Sequence, residues 1–192
     1  MTISIPKSNA KLGKISSFSL PPGRTCPGMS DVCKTLCYVD KFYRQYPSVR
    51  GAYATNWEAT ESDTFVDDMV AKIHGMPSCR QHVSGDFYSH AYIDQWLRIV
   101  EACPDTKFWG YTRSWNTNLL DHLELLRSRP NVQLFASWDE SMPEPPIAWR
   151  KAYIGGTDKA YDCPEQDGRK ADCKACQYCF LGKKGNVRFQ IH

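Results

Sequence analysis

Two rhythms of apolar residues alternate along this chain. Ile15 to Leu20 alternates apolar and polar positions, the period-two pattern of a strand. Pro21, Pro22 and Gly23 then force a loop. From Asp31 to about Thr60 the pattern is helical, interrupted at Pro47. Thr64 to Ile73 places Phe65, Val66, Met69, Val70 and Ile73 at helix spacing. Gln81 to Ser84 reads as a second strand ending in Gly85-Asp86. Ala91 to Ala102 is an amphipathic helix with Ile93, Trp96, Leu97 and Val100 on one side. Lys107 to Thr112 is a third strand, Asn118 to Arg127 a helix stopping before Pro130, and Val132 to Trp138 a fourth strand. Lys151 to Ile154 is a fifth, closed by Gly155-Gly156, and Val187 to Ile191 is a last one. Glu140 to Pro146 is a Pro-rich surface connection, and no internal repeat is visible.

Strands alternating with helices predict a parallel sheet in an α/β fold. At 192 residues the chain is expected to form one domain, with an α/β core over 15–156 and a cysteine-rich segment over 157–192. In parallel sheets functional residues collect at the carboxyl ends of the strands. The distinctive residues here fall there: a cysteine loop after the first strand, Ser84-Gly85-Asp86 after the second, Thr112-Arg113 after the third, and Ser137-Trp138-Asp139 after the fourth.

Composition changes this picture in one respect. The net charge of +3 is mild and does not by itself argue for a nucleic-acid partner. No apolar run approaches a membrane span, and Met1 to Lys14 lacks the apolar core of a signal peptide, so a cytoplasmic location is expected. The chain nevertheless holds 9 cysteines. Clustered cysteines without an export signal point to metal or redox chemistry rather than to disulfides.

Cys26, Cys33 and Cys37 lie within twelve residues, spaced Cys-x6-Cys-x3-Cys. Cys33 and Cys37 are four apart and share a face if helical. Cys26 can fold back to them over the Pro27-Gly28 turn. Three thiolates at one iron–sulfur cube leave one iron open, as catalytic zinc keeps a free position. Arg24 and Lys34 are expected to lower the thiol pKa values. Three buried or zinc-binding cysteines are the alternative.

The second group is Cys163-Pro164 followed by Cys173-x2-Cys176-x2-Cys179. The tandem spacing matches the first three ligands of a bacterial ferredoxin cluster, and the remote cysteine carries the proline of that pattern, although here it comes first. Four thiolates would fill every iron, giving a structural or electron-relaying cluster. A zinc knob is the alternative.

These residues resemble two families. Thr25-Cys26-Pro27-Gly28, Cys33, Cys37-Tyr38, Ser84-Gly85-Asp86-Phe87 and the C-terminal cysteine run are similar to the phage and mobile-element family named gene product 88. More broadly, the order of elements resembles radical S-adenosylmethionine (SAM) enzymes, which place a three-cysteine loop after the first strand of a partial (β/α) barrel. Their usual spacing, Cys-x3-Cys-x2-Cys, differs from the one here. That resemblance implies two [4Fe-4S] clusters and a SAM site. Asp86, with Ser84 and Gly85, would hold the SAM amine, and Thr112 and Arg113 its carboxylate. Ser137 and Asp139 would meet the ribose, and Gly155 and Gly156 would admit the adenine. It also implies an electron donor such as a flavodoxin or ferredoxin, and a small-molecule or nucleic-acid substrate.

Other residues carry weaker expectations. His82 and His90 flank the Gly85-Asp86 turn and are more readily surface or supporting groups than acid–base catalysts. His192 could ligate metal or be exposed. Lys41 to Arg50 interleaves basic and aromatic residues, a pattern that binds single-stranded nucleic acid, but as a helix it is expected to send its aromatics into the core. Trp109, Trp115 and Trp138 would line a pocket or fill a barrel mouth. Cys79 and Cys103 read as ordinary buried cysteines. The rival functions are a non-catalytic iron–sulfur or zinc protein binding nucleic acid or a host partner, and an electron-transfer or redox-sensing protein.

Overall fold

Three of the described helices begin where a side chain caps them. Ser30 accepts the Cys33 N–H, Ser89 the Tyr92 N–H and Asp172 the Ala175 N–H, while Pro47 opens a helix where no N–H is needed. The computed structural model describes residues 2–155, 160–182 and 185–191. The elements run β1 (Ser16–Phe18), α1 (Asp31–Thr35), α2 (Tyr38–Gln45), α3 (Pro47–Thr60), α4 (Phe65–Ile73), β2 (Ser78–Gln81), α5 (His90–Ala102) and β3 (Lys107–Thr112). A 3-10 turn at Ser114–Asn116 leads to α6 (Leu120–Arg127), β4 (Val132–Trp138), β5 (Arg150–Ile154), β6 (Tyr161–Asp162), α7 (Cys173–Cys176) and β7 (Val187–Phe189).

The strands form one seven-stranded sheet in the order β1-β2-β3-β4-β5-β7-β6, with every neighbouring pair parallel. One face is covered by α3 to α6. There Phe18, Cys79, Phe108, Leu134 and Ala136 of the strands pack against Phe65, Met69, Trp96, Ile99 and Leu123 of the helices. Cys79 and Cys103 belong to this core, as expected. Side chains alternate along a strand, so Arg80, Trp109, Tyr111 and Phe135 point to the other face. That face is covered by the N-terminal turn around Leu12 and by the C-terminal cysteine segment. Among the described residues no helix is long and apolar enough to cross a membrane.

Three expectations change. β2 ends where it was expected to begin, because Ser-Cys-Arg-Gln shows no apolar alternation yet is buried on both faces. Gln81 is its last residue; His82 then leaves the sheet with a left-handed φ of 57°. β6 and α7, of 2 and 4 residues, are too short to leave a periodic signal. The aromatics of α2 do not enter the core: Tyr38, Phe42 and Tyr46 are exposed.

Candidate functional site

Parallel strands end with unpaired backbone and loops at one edge of the sheet, and here those loops are stitched together. Leu20 N–H donates to the Ser84 carbonyl, and Asp86 N–H to the Thr25 carbonyl, both at 2.9 Å. Gly85 makes this approach possible. It has a φ of 76°, and a Cβ there would fall 2.6 Å from both Leu20 and Thr25. Gly28 does the same one strand further on, since a Cβ there would sit 2.1 Å from the Arg113 carbonyl oxygen. The cysteine loop is therefore pressed against the ends of β2 and β3.

A cavity of about 260 Å³ opens beneath that loop. Cys26, Cys33 and Cys37 line it, together with Ser84, Gly85, Asp86, Arg113 and Ser137. The fold thus gathers residues from the ends of four strands at one place. Thr112 and Asp139 stand behind the lining. The Thr112 hydroxyl is buried and accepts the Ser114 N–H. Gly155 ends β5 next to Ile154, which does line the cavity; Gly156 and His192 lie outside the described residues.

Asp86, Arg113 and Asp139 are already tied to partners within the protein. Asp86 accepts the N–H groups of Phe87 at 2.7 Å and Arg113 at 2.8 Å, locking the turn after β2 to the end of β3. Burial raises its pKa, with the hydrogen bonds from Thr112, Arg113 and Phe87 acting against that rise. Arg113 Nη1 is spent on Asp139 at 2.5 Å, with Ser30 at 3.1 Å and the Met142 sulfur at 2.7 Å. Burial works against ionising Asp139, but hydrogen bonds from Ser141 and Ser30 and the Arg113 charge hold it below the usual carboxylate range. The expected two-nitrogen grip of Arg113 on a ligand is therefore reduced to Nη2, which is buried without a partner. Asp139 serves this ion pair instead of facing a ribose.

Burial opposes ionisation of Cys26 and Cys33. Burial pushes Cys26 up to about 12, and the charges of Asp86, Cys33 and Cys37 push the same way. Burial also raises Cys33, against the pull of Arg113. The help expected from Arg24 and Lys34 does not arise. Arg24 lies over the Trp57 ring at 4.4 Å, and Lys34 is exposed.

The second group closes around a smaller cavity lined by Cys163, Cys173, Cys176 and Cys179. Cys163 N–H pairs with the Arg188 carbonyl as β6 meets β7, and Cys173 N–H donates to the Lys11 carbonyl, each at 2.9 Å. Burial raises Cys173 to about 12 and Cys179 to about 11. The Tyr111 hydroxyl donates to the Cys179 sulfur at 2.9 Å. Lys11, Arg80, Tyr111 and Phe189 line both cavities and form the wall between them. Arg80 is 8% exposed and lies 5.0 Å from the centre of the Tyr111 ring. Its Nε has no partner, and the groups around it include Tyr38, Cys173 and Cys179. Pattern reading passed over Arg80, whose one signal is a cation inside a strand beside two buried polar neighbours, Ser78 and Gln81.

Among the described residues, no three His, Cys, Asp or Glu side chains converge to hold a single metal ion. His82 is buried, shares a 2.8 Å hydrogen bond with Tyr92, and is held neutral by burial and the Arg80 charge, its pKa lowered to about 3. It is thus no acid–base group at neutral pH. His90 contacts the Asn118 carbonyl at 3.1 Å, away from the cavity. Trp109 packs on Phe180, and neither it nor Trp115 nor Trp138 lines the larger cavity.

Fold and site together define an α/β protein with an all-parallel sheet whose strand ends carry a cysteine-lined cavity. The family model described as gene product 88 matches residues 3–191. The chain belongs to that family. It is 27% identical to the Gene 88 protein of Mycobacterium phage D29, over 92% of this chain and 87% of the relative. It is 30% identical to the Gene 88 protein of Mycobacterium phage L5, over 68% of this chain and 60% of the relative. No solved structure matches.

Proposed function

We propose that this protein is a small iron–sulfur enzyme resembling radical SAM enzymes, with a [4Fe-4S] cluster on Cys26, Cys33 and Cys37 and a second on Cys163, Cys173, Cys176 and Cys179. The observation that carries this reading is the meeting of three thiols with Ser84, Asp86 and Arg113 around one cavity at the strand ends. Strands β1 to β5 lie in chain order with helices on one face, an order that a partial barrel shares.

The donor sets, three cysteines in one group and four in the other, have the chemistry such clusters ask for. A cubane takes one thiolate per iron. Arg80 is a buried cation in want of negative charge, and such a group is costly unless paired. Thiolates on Cys173 and Cys179 would supply that charge.

Cys26, Cys33 and Cys37 would hold a cluster that, reduced by an external electron donor, would supply the one electron needed for reductive cleavage of SAM. The protein would do the positioning. Arg113 Nη2 would meet the SAM carboxylate. Ser84 Oγ, buried without a partner, and Asp86 would meet the amine. Ser137 would lie at the ribose, and Ile154 with Gly155 beside the adenine. Leu36, Tyr38 and Val39 would keep bulk water from the cavity.

The test is anaerobic reconstitution, followed by electron paramagnetic resonance of the dithionite-reduced protein with and without SAM. The reading requires two clusters' worth of iron and sulfide, a SAM-dependent change in one signal, and loss of that signal in Cys37→Ala. Zinc without sulfide, or both clusters intact in Cys37→Ala, overturns it. A second reading, an electron-transfer protein, is favoured by the wall of Arg80 and Tyr111 between the groups. It predicts two reversible clusters that ignore SAM.

A further inference from the structure

A helix in water exposes polar residues and buries its aromatics. α2 does the reverse on one face. Tyr38, Phe42 and Tyr46 are spaced four apart, so they stand one above another, and they are 48%, 52% and 46% exposed. The Phe42 and Tyr46 rings are nearly parallel, with planes 15° apart and centres 6.4 Å apart. The Tyr38 hydroxyl is anchored on the Val83 carbonyl, which fixes the first ring at the cavity. Leu36 to Val39 belong to the cavity lining. The aromatic face is therefore continuous with the rim of the larger cavity.

Charge separates the possible occupants. Residues 31–50 carry Lys34, Lys41, Arg44 and Arg50 against Asp31 and Asp40, a surplus of +2 out of the +3 of the whole chain, with Arg44 paired to Asp40 at 2.8 Å. Most of the chain's formal surplus of positive charge therefore falls in this one segment. A protein groove would meet the rings with apolar side chains and gain nothing from the surplus. A polyanion with flat, stackable groups satisfies both features at once. Single-stranded nucleic acid binds by this combination: phosphates on cations, and bases on aromatic rings whatever their sequence.

We propose that α1 and α2 form a docking surface for single-stranded nucleic acid, which leads the strand from Tyr46 past Tyr38 to the mouth of the cysteine-lined cavity. Docking stands apart from the clusters; only the bound strand's being the substrate rests on the function proposed above.

The experiment measures fluorescence anisotropy of a labelled mixed-sequence single-stranded oligonucleotide, as DNA and as RNA, against the full chain without SAM or reductant. Its outcome is therefore readable whether or not the cluster assignment survives. The same sequence as a duplex is the competitor. Single strands are expected to bind more tightly than duplex and to weaken steeply with salt. Phe42→Ala and Tyr46→Ala are each expected to lose about tenfold in affinity, whereas Phe42→Trp keeps it. The rings are exposed, so unchanged melting temperatures identify these variants as folded. No binding at low salt, or unchanged binding in the Phe42→Ala/Tyr46→Ala double variant, overturns the proposal. So does sedimentation showing that the rings are buried between two copies of the chain.

Discussion

Around Cys26, Cys33 and Cys37 the chain leaves a cavity of about 260 Å³. Around Cys163, Cys173, Cys176 and Cys179 it leaves little room, with Trp109, Phe180 and the Lys11 segment packed over the thiols. The first group hangs from a loop on the sheet edge and faces groups still lacking partners, Ser84 Oγ and Arg113 Nη2. The second is tied to β6 and β7 by backbone pairing and surrounded by Lys11, Arg80 and Arg150. Similar thiols thus sit in settings suited to different work. An open site can take a ligand, and a closed one can hold structure or pass electrons.

The largest expected effect tests that division directly. Replacing a thiol in the closed group should cost stability as well as metal, because metal bound at a site absent from the unfolded chain is folding free energy. Cys163→Ala is expected to halve the iron and lower the melting temperature of the anaerobically purified protein by about 10 °C or more. Cys37→Ala should lose as much iron with a shift of only a few degrees. Equal shifts would break the comparison.

Next in size is an acid sensitivity under the open cavity. His82 lines that cavity but is buried neutral. The unfolded chain takes up its proton below about pH 6.5, the folded chain only near 3, so the unfolded state binds more protons in between. Its stabilising contribution is full above that window and is lost as pH falls through it, by up to about 4 kcal/mol. Asp86, raised by burial, acts with the opposite sign but is common to both proteins in the comparison. Urea midpoints measured from pH 3 to 7 should therefore show a shallower acid slope for His82→Asn than for the wild type. The same slope in both would remove His82 from the account.

The smallest effect lies in the wall. Tyr111→Phe removes the hydroxyl that donates to Cys179. It should cost about 1 kcal/mol in the urea midpoint and make the closed cluster harder to reduce, since hydrogen bonds to sulfur help set such potentials. A redox titration in which the open cluster moves instead would place Tyr111 on the wrong side of the wall.

Much of this was legible in the residues. β3 and β4 occur at the bounds that their apolar runs announce, and the cysteine spacings announce the two groups. The loops that bring Cys26 beside Asp86 follow from parallel strands. β2 was displaced because burial on both faces erases alternation, and because Arg80 serves the wall rather than the core. The stripe on α2 was misjudged for a related reason. Aromatic residues at helix spacing mark a face, but nothing in the spacing says whether that face meets the core or water. The roles of Asp139 and Arg113 were out of reach, since their pairing spans 26 residues and is made only when β3 and β4 lie side by side.

The place of β7 sets an order of events during synthesis. Each of β2 to β5 pairs with the strand made just before it, so the sheet can grow as the chain emerges. β6 cannot join in turn, because its described neighbour is β7, the last strand in chain order. Cys163 must therefore wait, unplaced, until residues some twenty-five positions later have been made. The loop of Cys26, Cys33 and Cys37 can be placed on a chain still being translated, but the second group is held together only after β7 inserts. A nascent or truncated chain would carry the first three thiols beside the ends of β2 and β3, with the part of the cavity wall that Phe189 supplies still missing, and the second group in pieces.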